Sequence, residues 1–380
     1  MPWTPHGKRT YGAPERRTGR ALCLSGGGFR AALFHLGAVR RLYELGILDT
    51  VATISSVSGG SSLAAHLAKT HAEWFTQALS SGEWERRVAM PFRDYTARNL
   101  SAWPVFKGLV LPKTNAGVDA LAARIRDRLT DMKLCELPAQ PRFMFCATDL
   151  VAGRDWIFER EMDGDWDVAT AVAVSSCHPV FLRPYTKRKP QYIALVDGGV
   201  DDDRGIEPVW RTHETLLVSD GGDTIRPEFG KSLLWSLYRS ASVLWNQSQA
   251  VQKRWLMSNF TAGFLEGTYW GIGGSPWHYR EDEYVESPSR VGYSPALARD
   301  VIAPIRTDYD AFSAAEAAVL ENHGYLMADA AIQTHVPQAK SPPPLRIPHP
   351  AWMGERKVRE ALGGSARKLL FGHRSSESRR

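Results

Sequence analysis

Residues 51–60 read VATISSVSGG. A β-branched, apolar run, Val51–Val57, stops at Ser58-Gly59-Gly60 and is followed by a helix-forming stretch, Ser61–Lys69. Strand, tight turn, helix is the layout of a nucleophile elbow, in which the turn lifts a serine out at the carboxyl end of a sheet. The usual pattern is G-x-S-x-G. Here Ser56 stands at the first glycine's place and Gly60 keeps the second. Small residues are needed at both because strand and helix pack closely there. Gly59, directly after Ser58, leaves an N–H free to join a set of oxyanion donors.

Residues 20–31, RALCLSGGGFRA, give a second strand–turn–helix unit. Arg20–Leu24 reads as a strand and Phe29–Leu45 as a helix that is apolar nearly all round up to Val39 and stops at Gly46. The Gly26-Gly27-Gly28 turn exposes backbone N–H groups at a helix N-terminus, an anion site. Two anions fit. Gly26, Gly28 and Ala31 satisfy a loose dinucleotide-binding pattern, but that fingerprint wants an acidic residue at the end of the second strand. Asp49 lies before that strand, and the strand ends in Val57-Ser58-Gly59. The oxyanion of an acyl transfer is the better match. Arg30, in the first helical turn, is read as holding either a phosphate or a neighbouring carboxylate.

A serine nucleophile needs a base. His213 and His323 follow in the chain but sit at no clear strand-end loop. Asp197-Gly198-Gly199 ends a predicted strand, Tyr192–Val196, which brings the carboxylate to the edge of the sheet where Ser58 emerges. A buried carboxylate can act directly as base. The plain alternative is an Asp-Gly turn.

Further strands are predicted at Arg142–Thr148, Trp156–Glu159 and Glu214–Ser219, and a helix at Val168–Val174. Ala311–Ala331 reads as a helical pair around Asn322-His323-Gly324. Alternating strands and helices point to an α/β fold with a mostly parallel central sheet covered on both faces. Residues 225–295 are rich in tryptophan (Trp235, Trp245, Trp255, Trp270, Trp277) and interrupted by glycines, and read as a helical insertion followed by an irregular loop. The expected organisation is a basic leader (1–19), a catalytic domain (20–333), a Pro-rich linker (334–350) and a basic tail (351–380) with one short helix near 354–362.

Composition narrows the functional classes. The 380 residues are 43% hydrophobic and 23% charged, which excludes disorder or fibrous repeats as descriptions of the whole chain. No apolar run reaches the roughly 18 residues of a membrane span. The N-terminus carries positive charge without the apolar stretch of a secretory signal. Cys23, Cys135, Cys146 and Cys177 form no CxxC pair, so a reducing, cytoplasmic setting is expected, with no metal or other cofactor. The net charge of +6 is concentrated at the ends: residues 1–20 hold five basic and one acidic side chain, residues 340–380 ten and three. Such ends suit an anionic surface. No nucleic-acid-binding motif is present, so none is expected as partner.

Taken together, Gly26-Gly27-Gly28-Phe29-Arg30, S-V-S-G-G with Ser58, and Asp197-Gly198-Gly199 resemble the patatin-like phospholipase family in order and spacing. So do Ala147-Thr148-Asp149-Leu150 with Gly153, Ala171 to Phe181 through Ser175-Ser176, and Arg306 to Phe312. The resemblance implies a three-layer α/β/α patatin-like fold and a Ser58–Asp197 dyad without histidine. It implies oxyanion donors from Gly26, Gly27, Gly28 and Gly59, with Arg30, Gly198 and Gly199 in support. The activity implied is hydrolysis of fatty acyl esters of phospholipids through an acyl-enzyme, with peripheral membrane contact at the Trp-rich region and the basic ends. Transacylase or thioesterase chemistry, or a silent lipid-interaction module closed by residues 70–115 or 225–295, are the alternatives. Two departures stand out: Ser56, and Val200-Asp201-Asp202-Asp203-Arg204-Gly205 where many bacterial relatives read like V-Y-D-N-L-G. Extra charge next to Asp197 is expected to raise its pKa or to alter leaving-group selectivity.

Overall fold

A computed structural model describes residues 17–76, 78–100, 115–162, 164–179, 181–188, 192–222, 230, 232–279, 291–336 and 342–366. Its strands are β1 (Arg20–Leu24), β2 (Val51–Val57), β3 (Arg142–Asp149), β4 (Arg154–Phe158), β5 (Tyr185–Lys187), β6 (Ile193–Asp197), β7 (Thr215–Asp220) and β8 (Glu266–Gly271). The described helices of eight residues or more are α1 (Gly28–Glu44), α2 (Gly59–Lys69), α3 (Ala116–Arg128), α4 (Val168–Ser175), α5 (Leu233–Thr261), α6 (Ala314–His335) and α7 (Glu355–Leu362).

All eight strands form one sheet in the order β5-β6-β3-β2-β1-β7-β8, with β4 paired to β3. β3, β2, β1, β7 and β8 run parallel, while β4, β5 and β6 join by antiparallel pairing. Period-two alternation divides the strand residues between two cores. Leu22, Leu24, Phe143, Phe145 and Leu217 point into the larger core under α1, α2, α4 and α6. Ala21, Cys23, Met144, Leu216 and Val218 point into a smaller one closed by Ile206, Val209 and Leu256 of α5. The result is a three-layer α/β/α fold.

Two expectations about secondary structure are corrected. Residues 311–331 are not a helical pair. Gly324 lies inside the continuous helix α6, where a Cβ would overlap the Phe34 carbonyl of α1; Gly37 of α1 stands in the same relation to the Glu321 carbonyl. These glycines let two helix backbones touch, and neither makes a turn. Residues 266–271 are not an irregular loop. They form β8, whose alternately buried Thr268 and Trp270 carry the strand period that flanking glycines mask in the sequence.

The tryptophans of this region are half-buried or buried. Trp255 packs edge-on against Trp210, Trp270 is buried, and none of the five is exposed. Residues 342–366, expected as linker and tail, lie against α1 and α6. Arg41 donates to the Pro343 carbonyl at 2.9 Å, Asn322 brackets His349 by two 2.8 Å bonds, and α7 buries Val358 and Leu362. Residues 1–16, 101–114, 280–290 and 367–380, on which part of the leader, lid and tail readings fall, lie outside the described residues. The described part of the 70–115 segment is built into the large core through Trp74, Trp84, Val88 and Phe92.

Gly324→Ala should force α1 and α6 apart and destabilise the protein by about 1–3 kcal/mol. Thermal unfolding should show this as a Tm several degrees below that of the native protein. An unchanged Tm would mean that the helix contact has slack.

Candidate active site

Ser58 occupies the turn between β2 and α2 at φ 49°, ψ −114°, the one positive-φ non-glycine among the described residues. A side chain at such a backbone is strained and persists only where its surroundings fix it. Here they do. Its N–H donates to Ser175 Oγ at 2.8 Å, and Ser175 Oγ donates to the Cys146 carbonyl at 2.6 Å. A Cβ on Gly60 would press on the carbonyls of Leu24 and Ser25, and one on Gly59 would overlap the Gly28 carbonyl. Ser56, which departs from the elbow pattern, is accommodated by bonding: its hydroxyl donates to the Met144 carbonyl at 2.8 Å and accepts from Ser61 Oγ at 3.2 Å.

Asp197 reaches the elbow through an antiparallel strand, which the sequence reading did not anticipate. β3 continues past the end of β2. Val57 pairs with Cys146, and the next residue of β3, Ala147, pairs with Asp197. Because β4 takes the other edge of β3 at both levels, β2 and β6 follow one another along the same edge, and register sets Asp197 directly beyond the end of β2 where Ser58 emerges. Gly198 then closes over the Cys146 carbonyl and Val57, where no Cβ fits. The Gly199 N–H donates to Asp197 Oδ1 at 2.9 Å and orients the carboxylate. The chemistry of this carboxyl is dominated by burial, which raises its pKa to about 7. The Gly199 N–H and the facing Ser58 hydroxyl pull the other way.

Tyr309 was not singled out in the sequence as a site residue. Its hydroxyl lies 3.5 Å from Ser58 Oγ and 2.7 Å from Ser176 Oγ, and its ring meets Phe29 edge-on at 4.9 Å. The stretches holding Ser175, Ser176 and Tyr309 carried part of the family resemblance, but no pattern in them specified a role.

The oxyanion donors need one correction. The Gly26 N–H is committed to the Asp203 carbonyl at 2.9 Å. Among the described residues no protein acceptor takes the N–H of Gly27, Gly28 or Gly59. Gly27 and Gly28 adopt φ of 124° and 59°, conformations open to glycine.

Arg30 is tied to backbone carbonyls of two loops. Fully buried, it donates to the carbonyls of Gly221, Gly222, Ala303 and Ile305. It is a clamp between the loop after β7 and the segment before Tyr309. His213 bonds Thr53 Oγ1 and Val209, and His323 bonds the Ile272 carbonyl; both are buried structural residues.

The Asp201–Asp203 run acts differently from expectation too. Asp202 caps its own turn, accepting from the N–H groups of Arg204 and Glu207. The Asp203 carboxyl stands against the Cα atoms of Gly26, Gly199 and Gly222. Burial, then the charges of Asp220 and Asp197, hold its pKa well above the usual carboxylate range. Arg204 pairs with Asp220 at 2.7 Å. The raised pKa of Asp197 comes from burial and not from the added charge of this run. A crevice of about 1360 Å³ runs from Asp203 and Trp245 beneath α5, past Lys253 and Tyr269, to Phe260.

The arrangement brings a strained serine, a buried carboxyl and unpaired amides together at one edge of an α/β sheet. Residues 22–210 match the family model of the patatin-like phospholipases. The chain belongs to the patatin-like phospholipase family through this domain. Among solved structures it is similar to human group IVD cytosolic phospholipase A2 at 13% identity and a TM-score of 0.39, covering 53% of this chain and 45% of that one. The same human enzyme bound to methyl gamma-linolenyl fluorophosphonate matches at 21% identity and a TM-score of 0.28 over 38% and 23% of the two chains. VipD from Legionella pneumophila matches at 13% identity and a TM-score of 0.34 over 84% and 67%. The chain thus spans less than half the length of the human enzyme. No curated protein matches it.

A carboxyl whose pKa rises from 3.8 unfolded to about 7 folded binds its proton more tightly in the native state. Its contribution to stability is therefore full below pH 4 and lost as pH rises through 7. Asp197→Asn should be more stable than the native protein at pH 8, by on the order of 2–4 kcal/mol, with the difference vanishing toward pH 4. Urea unfolding at the two pH values measures it, and equal gains at both would refute the burial of a titrating carboxyl.

Proposed function

We propose that the protein is a serine acyl hydrolase that cleaves fatty acyl esters of lipids through a Ser58–Asp197 dyad. The observation that carries this reading is the pairing of a strained elbow serine with a buried carboxyl whose pKa sits at about 7. A base works best when its pKa lies near the working pH. Membership of the patatin-like phospholipase family supports the lipid substrate class.

Ser58 Oγ attacks the ester carbonyl while Asp197 takes its proton. The oxyanion is received by the N–H groups of Gly27, Gly28 and Gly59, each worth about 10²–10³ in rate in comparable sites. Asp197 returns the proton to the leaving alcohol, giving an acyl-enzyme on Ser58. Water, deprotonated by the same carboxylate, then releases the fatty acid and restores the hydroxyl. Tyr309 holds the nucleophile's side chain from the far side and, with its phenol pushed up to about 12, remains protonated throughout. Because lipid substrates lie in bilayers, the enzyme works in peripheral contact with one; no described helix is long and apolar enough to cross a membrane.

Ser58→Ala and Asp197→Ala should each lower hydrolysis of p-nitrophenyl acyl esters by about 10³-fold or more, with the fold retained by circular dichroism. In the native protein kcat/KM should climb about tenfold per pH unit below 7 and level off above it, because the carboxylate must be ionised to accept the proton. A limb centred near pH 4, or full activity in either variant, would overturn the dyad.

A further inference from the structure

The helix α5 has two faces of opposite character. Its inner face is tied to the loop that follows Asp197: Trp245 Nε1 donates to the Gly199 carbonyl, and Gln249 Nε2 reaches the same oxygen at 3.4 Å. Gln252 donates to Asp202 Oδ1 at 2.8 Å, and Arg204 donates to the carbonyl and Oε1 of Gln249, both at 3.0 Å. Its outer face carries Leu233, Leu237, Leu244 and Val251, which are 75%, 60%, 71% and 56% exposed. Spacings of four, seven and seven put all four in one row along the helix, within about 40° of each other at 100° per residue. Ser240 interrupts the row, Ala241, Gln247 and Ser248 flank it, and exposed Arg254 stands at its edge.

Isolated exposed leucines are ordinary, whereas an aligned apolar row on a helix marks a surface that something covers. The chemistry of the cover is set by charge and by position. From residue 233 to 261 the helix contains Arg239, Lys253 and Arg254 and no acidic residue. An apolar row on a purely basic helix is the composition of a segment that lies in the interface of an anionic bilayer. Exposed Val200 sits within the loop that α5 holds. Exposed Phe181 contacts the His178 ring, which also meets the Trp245 ring, so the apolar surface continues toward the dyad.

We infer that α5 seats its Leu233–Leu237–Leu244–Val251 row on an anionic lipid surface and thereby holds the catalytic Asp197 loop at that surface. This deepens the acyl-hydrolase reading and rests on it. The aliphatic row is more exposed than any of the five tryptophans of this region. Bilayer contact and the Asp197 loop are then served by two different faces of one rigid element. A second copy of the chain is the competing occupant of the same row.

The test uses the full chain and the combined variant Leu237→Ser, Leu244→Ser, Val251→Ser, all at exposed positions outside the catalytic machinery. Flotation with vesicles of phosphatidylcholine mixed with phosphatidylglycerol should show partitioning reduced by on the order of tenfold or more. Hydrolysis of vesicle-borne phosphatidylglycerol should fall in proportion. Hydrolysis of soluble p-nitrophenyl butyrate and the thermal midpoint should stay as in the native protein. Unchanged partitioning overturns the inference, as does loss of soluble-ester hydrolysis in step with vesicle hydrolysis. Sedimentation showing a native dimer that the variant converts to monomer assigns the row to a second copy and also overturns it. If the native chain hydrolyses neither ester yet loses vesicle binding on substitution, the lipid-facing row stands and the hydrolase reading falls.

Discussion

The active-site geometry depends on one close approach: the Gly28 peptide group resting on the Cα of Gly59. Each of these glycines opens a helix that follows a strand, and β1 and β2 are neighbours in the sheet. Bringing the two turns back to back sets the first, unbonded N–H groups of two helices beside the Ser58 turn. Such amides have no partner within their own helix and point toward incoming negative charge. A methyl group at position 59 would separate the turns. The clamp of Arg30 on the loop after β7 and on residues 303–305 fixes the same corner from behind, and those residues lead directly to Tyr309.

Around this corner the protein accumulates buried charge. Arg204 with Asp220, and Arg306 with Asp310 and Glu316, are nearly inaccessible pairs. Pairs of this kind contribute little net stability, since desolvation offsets much of their attraction, but they fix the directions of the loops that carry them. Asp197 has no such basic partner among the causes of its shift, and its raised pKa follows from that choice of neighbours. The neighbouring Asp203 is likewise shifted upward, by burial and by the charges of Asp220 and Asp197. The site is thus stabilised by its scaffold and destabilised at its chemical centre, which is the division expected where a group must titrate during turnover.

Much of this was legible in the sequence because local signals were strong. β1 and β2 are bounded by glycine-rich turns, and their apolar runs fall at Arg20–Leu24 and Val51–Val57 as read. Non-local pairing was not legible. Nothing in Tyr192–Val196 distinguishes a parallel from an antiparallel strand, and it is the extra length of β3 that brings Asp197 level with Ser58. The commitment of the Gly26 amide to Asp203, the partial or full burial of the tryptophans and the passage of α6 through Gly324 are likewise set by residues far away in the chain. Glycine signals a need for space as often as it signals a turn, and sequence alone does not say which.

The most direct test of the central claim is covalent capture of the nucleophile. Native protein treated with an alkyl fluorophosphonate, digested and mapped by mass spectrometry, should carry one adduct on Ser58, with a labelling rate that rises with pH through about 7 and collapses in Asp197→Asn. Stoichiometric labelling at a different residue, or labelling of Ser58 at an equal rate without the carboxylate, would contradict the account.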